Sequence, residues 1–364
     1  MKIVVTGGLG FIGSAVVRRL LDTTDHRVLN IDARTYAATE GSVAASVNAV
    51  ADATPANRPS RYQFVEANIA DGQKMSELFS QFSPDAVIHL AAETHVDRSI
   101  DLPAAFVETN IIGTFRLLEA ALGEHLASKG DDGIRFLHVS TDEVFGSLAP
   151  SDPPFNELTP YSPRSPYSAS KAASDHLVRA WYETYGLPVI ITNCSNNYGP
   201  FQFPEKLIPL VTLKALSGLP IPVYGTGQNV RDWLHVDDHA AAIIAALEKG
   251  TPGETYTIGG SAERTNLDVV NHICGTFDSR LDSDLQPRGG HRSLIKFVED
   301  RPGHDHRYAI DSTKATTELG WEPTTSFEQG LSATVDWYLN NQWWWEPLTE
   351  TRYDGERLGA AAKP

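Results

Sequence analysis

An apolar run, Lys2 to Thr6, leads directly into Gly7-Gly8-Leu9-Gly10-Phe11-Ile12-Gly13, and a helix-period segment, Ser14 to Leu21, follows at once. No other feature of the chain constrains its fold as tightly. Four glycines in seven positions allow a sharp turn and a close backbone approach. They bring the unpaired N–H groups of a helix start, with its favourable dipole, up to whatever anion lies there. Strand, loop and helix thus form a cradle for a pyrophosphate, and Gly7, Gly10 and Gly13 are its candidate residues. Asp32 closes the next apolar run, roughly 20 residues further on. An acid at that point accepts hydrogen bonds from a ribose 2′-hydroxyl and repels a 2′-phosphate, which selects NAD over NADP. Arg34, close by, pulls weakly the other way.

The rest of the first half repeats the pattern. Lys2–Thr6, Arg27–Ile31, Tyr62–Val65, Ala86–Leu90, Phe136–Ser140 and Val189–Asn193 read as six strands, nearly continuous in apolar character, as expected where helices cover both sheet faces. Between them Ser14–Leu21, Met75–Phe82, Ala104–Leu122 and Ser168–Tyr185 carry apolar residues at three- and four-residue steps and read as helices. The expected fold is α/β: a Rossmann doubly wound parallel sheet with a smaller C-terminal substrate-binding lobe. Residues 1–200 form the first domain, with parts of 225–265 and 305–312 returning to it, and 201–348 form mainly the lobe. In the lobe the expected elements are helices at Leu207–Leu216 and His239–Glu248, a strand at Ile221–Tyr224, and helices starting near Leu267 and Phe327. Ala37–Ser60 reads as a mobile loop and 349–364 as a flexible tail.

Composition narrows the partners. The 364 residues are 41% hydrophobic and 21% charged, which describes a packed globule. Thirty Lys plus Arg against 46 Asp plus Glu leave a formal charge of -16, which repels nucleic acid and anionic membranes while permitting a local basic pocket. Two cysteines, Cys194 and Cys274, are too few for a disulfide framework or a multi-cysteine metal site. No apolar run reaches the length of about 18 residues needed to span a bilayer, so a cytoplasmic protein is expected. His304 and His306 flank Asp305, but the metal reading is rejected, and Trp343, Trp344 and Trp345 are expected to pack against the body.

Two motifs carry chemistry. Tyr167 and Lys171 stand four apart at the start of a helix pattern, hence on one face. A cationic lysine beside a phenol lowers its pKa and makes a general base for a sugar hydroxyl; alone, the spacing equally describes an exposed helix pair. Ser140-Thr141-Asp142-Glu143 stands at the carboxyl end of a strand, where such sheets place their ligands. Thr141 can donate to a reacting oxygen. Asp142 and Glu143 are adjacent carboxyls whose titrations split in a buried cleft, leaving one acid and one base; in isolation the triplet also suits a helix cap.

Taken together, GGLGFIGS, AAETHVDRS (91–99), STDEVFG (140–146), YSASK (167–171), NCSNNYGP (193–200), RDWLHVDDH (231–239) and EDRPGHDHRYAID (299–311) resemble the extended short-chain dehydrogenase/reductases. Within them the chain is similar to the family of dTDP-glucose 4,6-dehydratases of the deoxysugar (rhamnose) pathway, from Met1 to about Leu348. The resemblance implies a hydro-lyase that retains NAD through its cycle and acts on dTDP-glucose. It assigns Tyr167 to the C4 hydroxyl with Thr141 and Lys171 assisting, Glu143 to the C5 proton and Asp142 to the departing C6 hydroxyl. For NAD it adds Phe11, Ile12, Asn68, Ile69, Leu90, Ala91, Ala92, Thr94, Thr109 and Asn197, as well as Tyr167 and Lys171. For the nucleotide sugar it points to Thr94, Thr141, Asn196, Lys206, Leu207, Pro222, Tyr224, Arg231, Asn266, Arg301 and His304. Of these, Arg231 and Arg301 are suited to two-point contact with phosphate. It also implies a homodimer seamed by the helices Ala104–Leu122 and Ser168–Tyr185.

The chain departs from the family at three points. Asn68 stands where an Asp is usual, Ala37-Ala38 follows Tyr36 in place of Gly-Asn, and Phe145 replaces a Tyr. The competing readings are a 4,6-dehydratase, C4-epimerase or decarboxylase for a UDP-, CDP- or GDP-sugar, and a non-catalytic sensor. An epimerase has no use for an acid and a base at C6 and C5, and a sensor needs none of the five residues together.

Overall fold

The computed structural model describes residues 1–55, 59–128, 133–280 and 286–353. The first half alternates strands and helices: Lys2–Thr6 (β1), Phe11–Thr23 (α1), Arg27–Asp32 (β2), Ala44–Ala53 (α2), Tyr62–Glu66 (β3), Gly72–Phe82 (α3) and Ala86–His89 (β4). Val96–Asp101 (α4), Pro103–Phe106 (α5), Thr114–Ala127 (α6), Arg135–Thr141 (β5), Pro166–Tyr185 (α7) and Val189–Cys194 (β6) follow. The second half holds Asn196–Tyr198 (β7), Leu207–Leu216 (α8), Ile221–Tyr224 (β8), Val230–His235 (β9), Val236–Lys249 (α9) and Thr255–Ile258 (β10). It ends with Glu263–Thr265 (β11), Asn266–Arg280 (α10), Ile295–Val298 (β12), Phe327–Asn340 (α11) and Gln342–Thr351 (α12).

Seven strands form one parallel sheet in the order β10-β6-β5-β4-β1-β2-β3. One face buries Val5, Val16, Leu20, Ile243 and Leu247 beneath α1 and α9, and the other buries Val4, Phe79, Leu117, Phe136 and Val178 beneath α3, α6 and α7. Burial on both faces accounts for the unbroken apolar runs. The strand order reverses between β1 and β4, which opens a crevice at their carboxyl ends. The lobe centres on Ile208, Trp233, Val270, Phe277 and Leu331, with the short sheets β11-β9-β7 and β12-β8 beside it. Two bridges, Leu148 to Arg307 and Phe155 to Ile310, tie the chain after the lobe back to the first domain.

Three expectations need correction. Ala37–Ser60 holds a 3₁₀ turn at Glu40–Ser42 and the helix α2, which packs on α1 and buries Ser46 and Val50. The expected tail is helical to Thr351: Trp344 and Leu348, four apart, are buried, Tyr353 is buried as well, and Arg352 Nη1 donates to the carbonyls of Tyr36 and Ala38 at 3.2 and 2.9 Å. Residues 354–364 of that tail lie outside the described residues. The helix expected at Ala104–Leu122 is interrupted by a wider π turn, Val107–Gly113. Its Asn110 side chain is pulled onto the Glu93 backbone (2.9 and 3.0 Å) while Thr114 Oγ1 donates to the Asn110 carbonyl. Trp344 and Trp345 pack on the body through ring N–H donors to Thr39, Ser42 and Tyr338, whereas Trp343 is exposed. Among the described residues no helix is long and apolar enough to cross a membrane.

Candidate active site

At the crevice, Gly7 takes φ +72° and any Cβ there would lie 2.7 Å from the Ala91 backbone; a Cβ on Gly13 would lie 2.1 Å from the Gly7 carbonyl oxygen. Only glycine fits either position. Gly10 precedes α1 and supplies no side-chain cap, so the amides at Phe11, Ile12 and Gly13 face the cradle free of a cap. Asp32 accepts from the amides of Leu9 (3.0 Å) and Arg34 (2.8 Å). Burial raises its pKa, and those two amides work against the rise. Arg34 is turned to Glu40 and Glu66 and lies over the Phe64 ring, so its charge is spent there. Leu90 and Ala91 bond back to Thr6, Ile69 is buried against Gly113, and Asn68 Oδ1 accepts from Ala70 N. Thr109 sits in the π turn, and Ala92 and Thr94 continue from β4. This cradle fits a dinucleotide pyrophosphate and an adenosine ribose. Asn197 is engaged elsewhere: its amide donates to the Ser195 carbonyl and its oxygen lies 2.9 Å from His239 Nδ1. Gly8, absent from the expected set, donates to Asn30 Oδ1 at 3.1 Å and has no room for a Cβ. The signal for it was a lone Asn within an apolar strand.

The reactive groups meet at the end of β5. Asp142–Phe145 form one 3₁₀ turn, in which Thr141 Oγ1 accepts from Glu143 N and donates to Asp142 Oδ1, each at 3.3 Å. Asp142 is 1% exposed and its Oδ2 has no partner. Burial first, then the charges of Glu143 and Asp232, hold its carboxyl well above the usual range, with Arg231 and Thr141 opposing, so the protonated form is favoured. Burial also raises Glu143, but Arg301, Arg231 and Lys206 pull it back. Both carboxyls are thus raised by burial, Asp142 by its anionic neighbours as well, while cations oppose the rise at Glu143.

Helix α7 starts on a Ser165–Ser168 capping box with Pro166 at its first position, which fixes Tyr167 and Lys171 on the buried side. Here an expectation fails: the phenol of Tyr167 is not lowered. Burial pushes it well above its ordinary value, Glu143 and Cys194 add to that, and Thr141 opposes it. The Lys171 ammonium is directed at the Val139 carbonyl, 2.9 Å away, with His138 Nε2 at 3.5 Å.

The lobe supplies the cations. Arg231 is 5% exposed, stacks over Tyr308 at 4.2 Å and donates to the carbonyls of Val230 (2.7 Å) and Asp305 (3.0 Å). Arg301 lies 3.7 Å from Asp97, which also accepts from Tyr224 at 3.2 Å; His304 pairs with Asp300 at 2.6 Å and sets its ring edge-on to Tyr224. Lys206 donates to the Thr94 carbonyl at 3.2 Å, and Asn196 Oδ1 is buried without a partner. Leu207, Pro222 and Asn266 stand at the start of α8, in β8 and at the start of α10, and among the described residues no hydrogen bond links them to the carboxylates. Sequence reasoning missed Asp97, Tyr308, His138 and Asp175. A polar residue inside an apolar strand, or four residues after Lys171, would have flagged the last two.

Comparison places this geometry. The family described as GDP-mannose 4,6 dehydratase matches residues 4–334. A dTDP-glucose 4,6-dehydratase of Escherichia coli is 52% identical over 99% of both chains, and one of Neisseria meningitidis serogroup B is 52% identical over 98% of this chain and 99% of its own. The crystal structure of the dTDP-glucose 4,6-dehydratase of Bacillus anthracis in complex with NAD is similar at 42% identity and TM-score 0.81, covering 96% of this chain and 99% of that one. The UDP-glucose 4-epimerase of Thermotoga maritima, with UDP-glucose, is more distant at 29% identity and TM-score 0.79, covering 93% and 99%. Sharing the doubly wound fold with that epimerase but half its residues with the dehydratases, the chain belongs to the dTDP-glucose 4,6-dehydratase family of the extended short-chain dehydrogenase/reductases.

Proposed function

We propose that this protein converts dTDP-glucose to dTDP-4-keto-6-deoxyglucose and water. The observation that carries the reading is the pair at the end of β5: Asp142 buried with one oxygen unpartnered and its carboxyl held well above the usual range, beside Glu143 in the field of three cations. NAD, when bound in the glycine cradle, supplies the hydride acceptor that takes hydrogen from C4 and gives it back to C6. Tyr167, as the phenolate that the Lys171 ammonium sustains against the burial that raises it, accepts the C4 hydroxyl proton, and Thr141 holds that oxygen. The resulting ketone acidifies the C5 hydrogen. Glu143 removes that proton while Asp142 gives its own to the C6 hydroxyl, which departs as water, and as C6 regains hydride a proton returns to C5 from Glu143. Arg231 and Arg301 grip the pyrophosphate, with Lys206, Asn196, Tyr224 and His304 around the rest of the donor.

In this reading residues 1–200, with parts of 225–265 and 305–312, hold the cofactor and 201–348 mainly the nucleotide sugar; β10 within the main sheet and the two bridges at 307 and 310 support the return. Two buried free thiols, Cys194 and Cys274, suit the reducing cytoplasm. A homodimer is supported by the partly exposed apolar face running from Val107 and Phe115 to Trp181 and Tyr185. The product class fits a deoxysugar pathway such as that of rhamnose.

The test is mass spectrometry of the purified protein given dTDP-glucose, UDP-glucose, CDP-glucose or GDP-mannose without added NAD. Loss of one water from dTDP-glucose alone is expected. No water lost from any donor even with NAD supplied would overturn the reading in favour of an epimerase, decarboxylase or sensor.

A further inference from the structure

Beneath Tyr167, around Lys171, lies a closed polar cluster whose other members have no part in the steps above. Lys171 and Asp175 stand one turn apart on α7, 4% and 0% exposed, and His138 of β5 lies between them. His138 Nε2 is 3.5 Å from Lys171 Nζ and 3.2 Å from Asp175 Oδ1, and Ser174 Oγ is 3.2 Å from the same nitrogen. The other carboxylate oxygen of Asp175 accepts from Tyr161 (2.8 Å), Ser140 (2.9 Å) and Asn193 (3.2 Å). Asn193 donates in turn to the Thr141 carbonyl at 3.1 Å. A buried charge with no counter-charge is not sustained in an interior of this kind. Three donors on one oxygen of this carboxylate mark it as ionised, and the cation whose charge acts on it is Lys171, one turn away on the same helix.

We propose that Asp175, supported by His138, is the positioning residue for Lys171: its carboxylate is the buried counter-charge that keeps Lys171 an ammonium behind Tyr167, and through Asn193 and Ser140 it also seats Thr141. The proposal rests on the role given above to Lys171. The groups facing this pair are His89 and His138 from β4 and β5, Cys194 from β6, and Tyr161, which carries Arg179 at 3.2 Å. Only Asp175 among them is an anion at neutral pH. Burial draws His138 down to about 4, with Lys171 adding to that, so the ring is neutral. Burial pulls the Lys171 amine below its ordinary value, and Asp175 acts in the opposite sense. For Asp175 itself burial acts upward, yet His138, Lys171 and Ser140 outweigh it and leave the carboxyl below its usual range.

Removing the charge should therefore let Lys171 lose its proton at lower pH. In Asp175→Asn the alkaline limb of the kcat–pH profile is expected to move down by about one pH unit or more, and Asp175→Glu to restore much of it. The direct readout is NMR of protein labelled at lysine Cε, with the Lys171 resonance identified by its loss in Lys171→Met. The wild type is expected to show an ammonium at pH 7 and Asp175→Asn to show deprotonation at lower pH. An unshifted limb and resonance in a folded Asp175→Asn would overturn the proposal, leaving Asp175 a structural residue. Should that variant not fold, the wild-type titration still decides, since a neutral Lys171 amine at pH 7 overturns it. The resonance is read whether or not dTDP-glucose is the substrate, so failure of the proposed function is seen separately.

Discussion

Asp142 and Glu143 are neighbours in sequence, yet their surroundings give them opposite work. Asp142 faces Glu143 and Asp232 from a dry site with Arg231 as its counter-charge, while Glu143 faces Arg301 and Lys206 besides Arg231. The Glu143→Gln variant is expected to oxidise bound substrate at C4 but to lose C5 exchange and water release, by about 10²- to 10⁴-fold. Deuterium incorporated at C5 from D₂O at the wild-type rate would remove Glu143 from the base role. Asp142 makes a separate claim on stability. Its folded carboxyl titrates well above the unfolded value of about 3.9, so its contribution is fully present below that pH and is lost as pH rises toward the folded value. Asp142→Asn should thus leave the melting temperature unchanged near pH 4 and raise it increasingly toward pH 7, as read by calorimetry across pH. A constant difference at every pH would show that Asp142 is not protonated in the folded state. The adjacent acids at a strand end were legible in the sequence. The order in which they titrate was not, because the charges that decide it come from residues 60 to 160 positions away in the chain, as does the burial that lifts Tyr167.

At the scale of elements, the six first-half strands and the cradle were legible because a strand buried on both faces writes its apolar character without interruption. Elements built on few apolar residues were not. Helix α12 has only a narrow buried stripe, Trp344 and Leu348, and its placement depends on contacts far away in sequence: Trp344 Nε1 donates to Thr39 and Ser42 at 3.1 Å, and its ring packs on Phe201, Trp337 and Tyr338. No local pattern announces partners 300 residues apart. The strap is energetically substantial. Trp344→Ala should cost about 3–5 kcal/mol, whereas Trp343→Ala, at 58% exposure, should stay within about 0.5 kcal/mol. Urea unfolding of the two variants side by side checks this, and equal effects would mean that α12 does not anchor the Tyr36–Ser42 segment. The π turn at Val107–Gly113 was invisible for a related reason: Asn110 leaves the helix register to serve the Glu93 backbone and Ser170, a demand set by tertiary neighbours.

For the whole molecule, charge and association have to be reconciled. Each chain carries a formal -16, so two copies repel one another, while Arg231, Arg301 and Lys206 gather positive charge inside the cleft where a diphosphate would enter. The dimer proposed above would then have to come from apolar surface. The continuous candidate is the face of the π turn, α6 and α7, where Val107 is 48% and Tyr185 51% exposed, Phe115 meets Trp181 at 5.8 Å and Trp181 meets Tyr185 at 5.3 Å. Light scattering on the wild type is expected to give twice the chain mass of 39.8 kDa, with the dimer favoured further as salt screens the like charges. Val107→Glu places a new charge on that face, and at equal concentration it should sediment as single chains with its melting temperature little changed, since the side chain is exposed in the lone subunit. A wild type of single-chain mass would remove the dimer. A Val107→Glu protein that stays paired would move the seam to another face of the molecule.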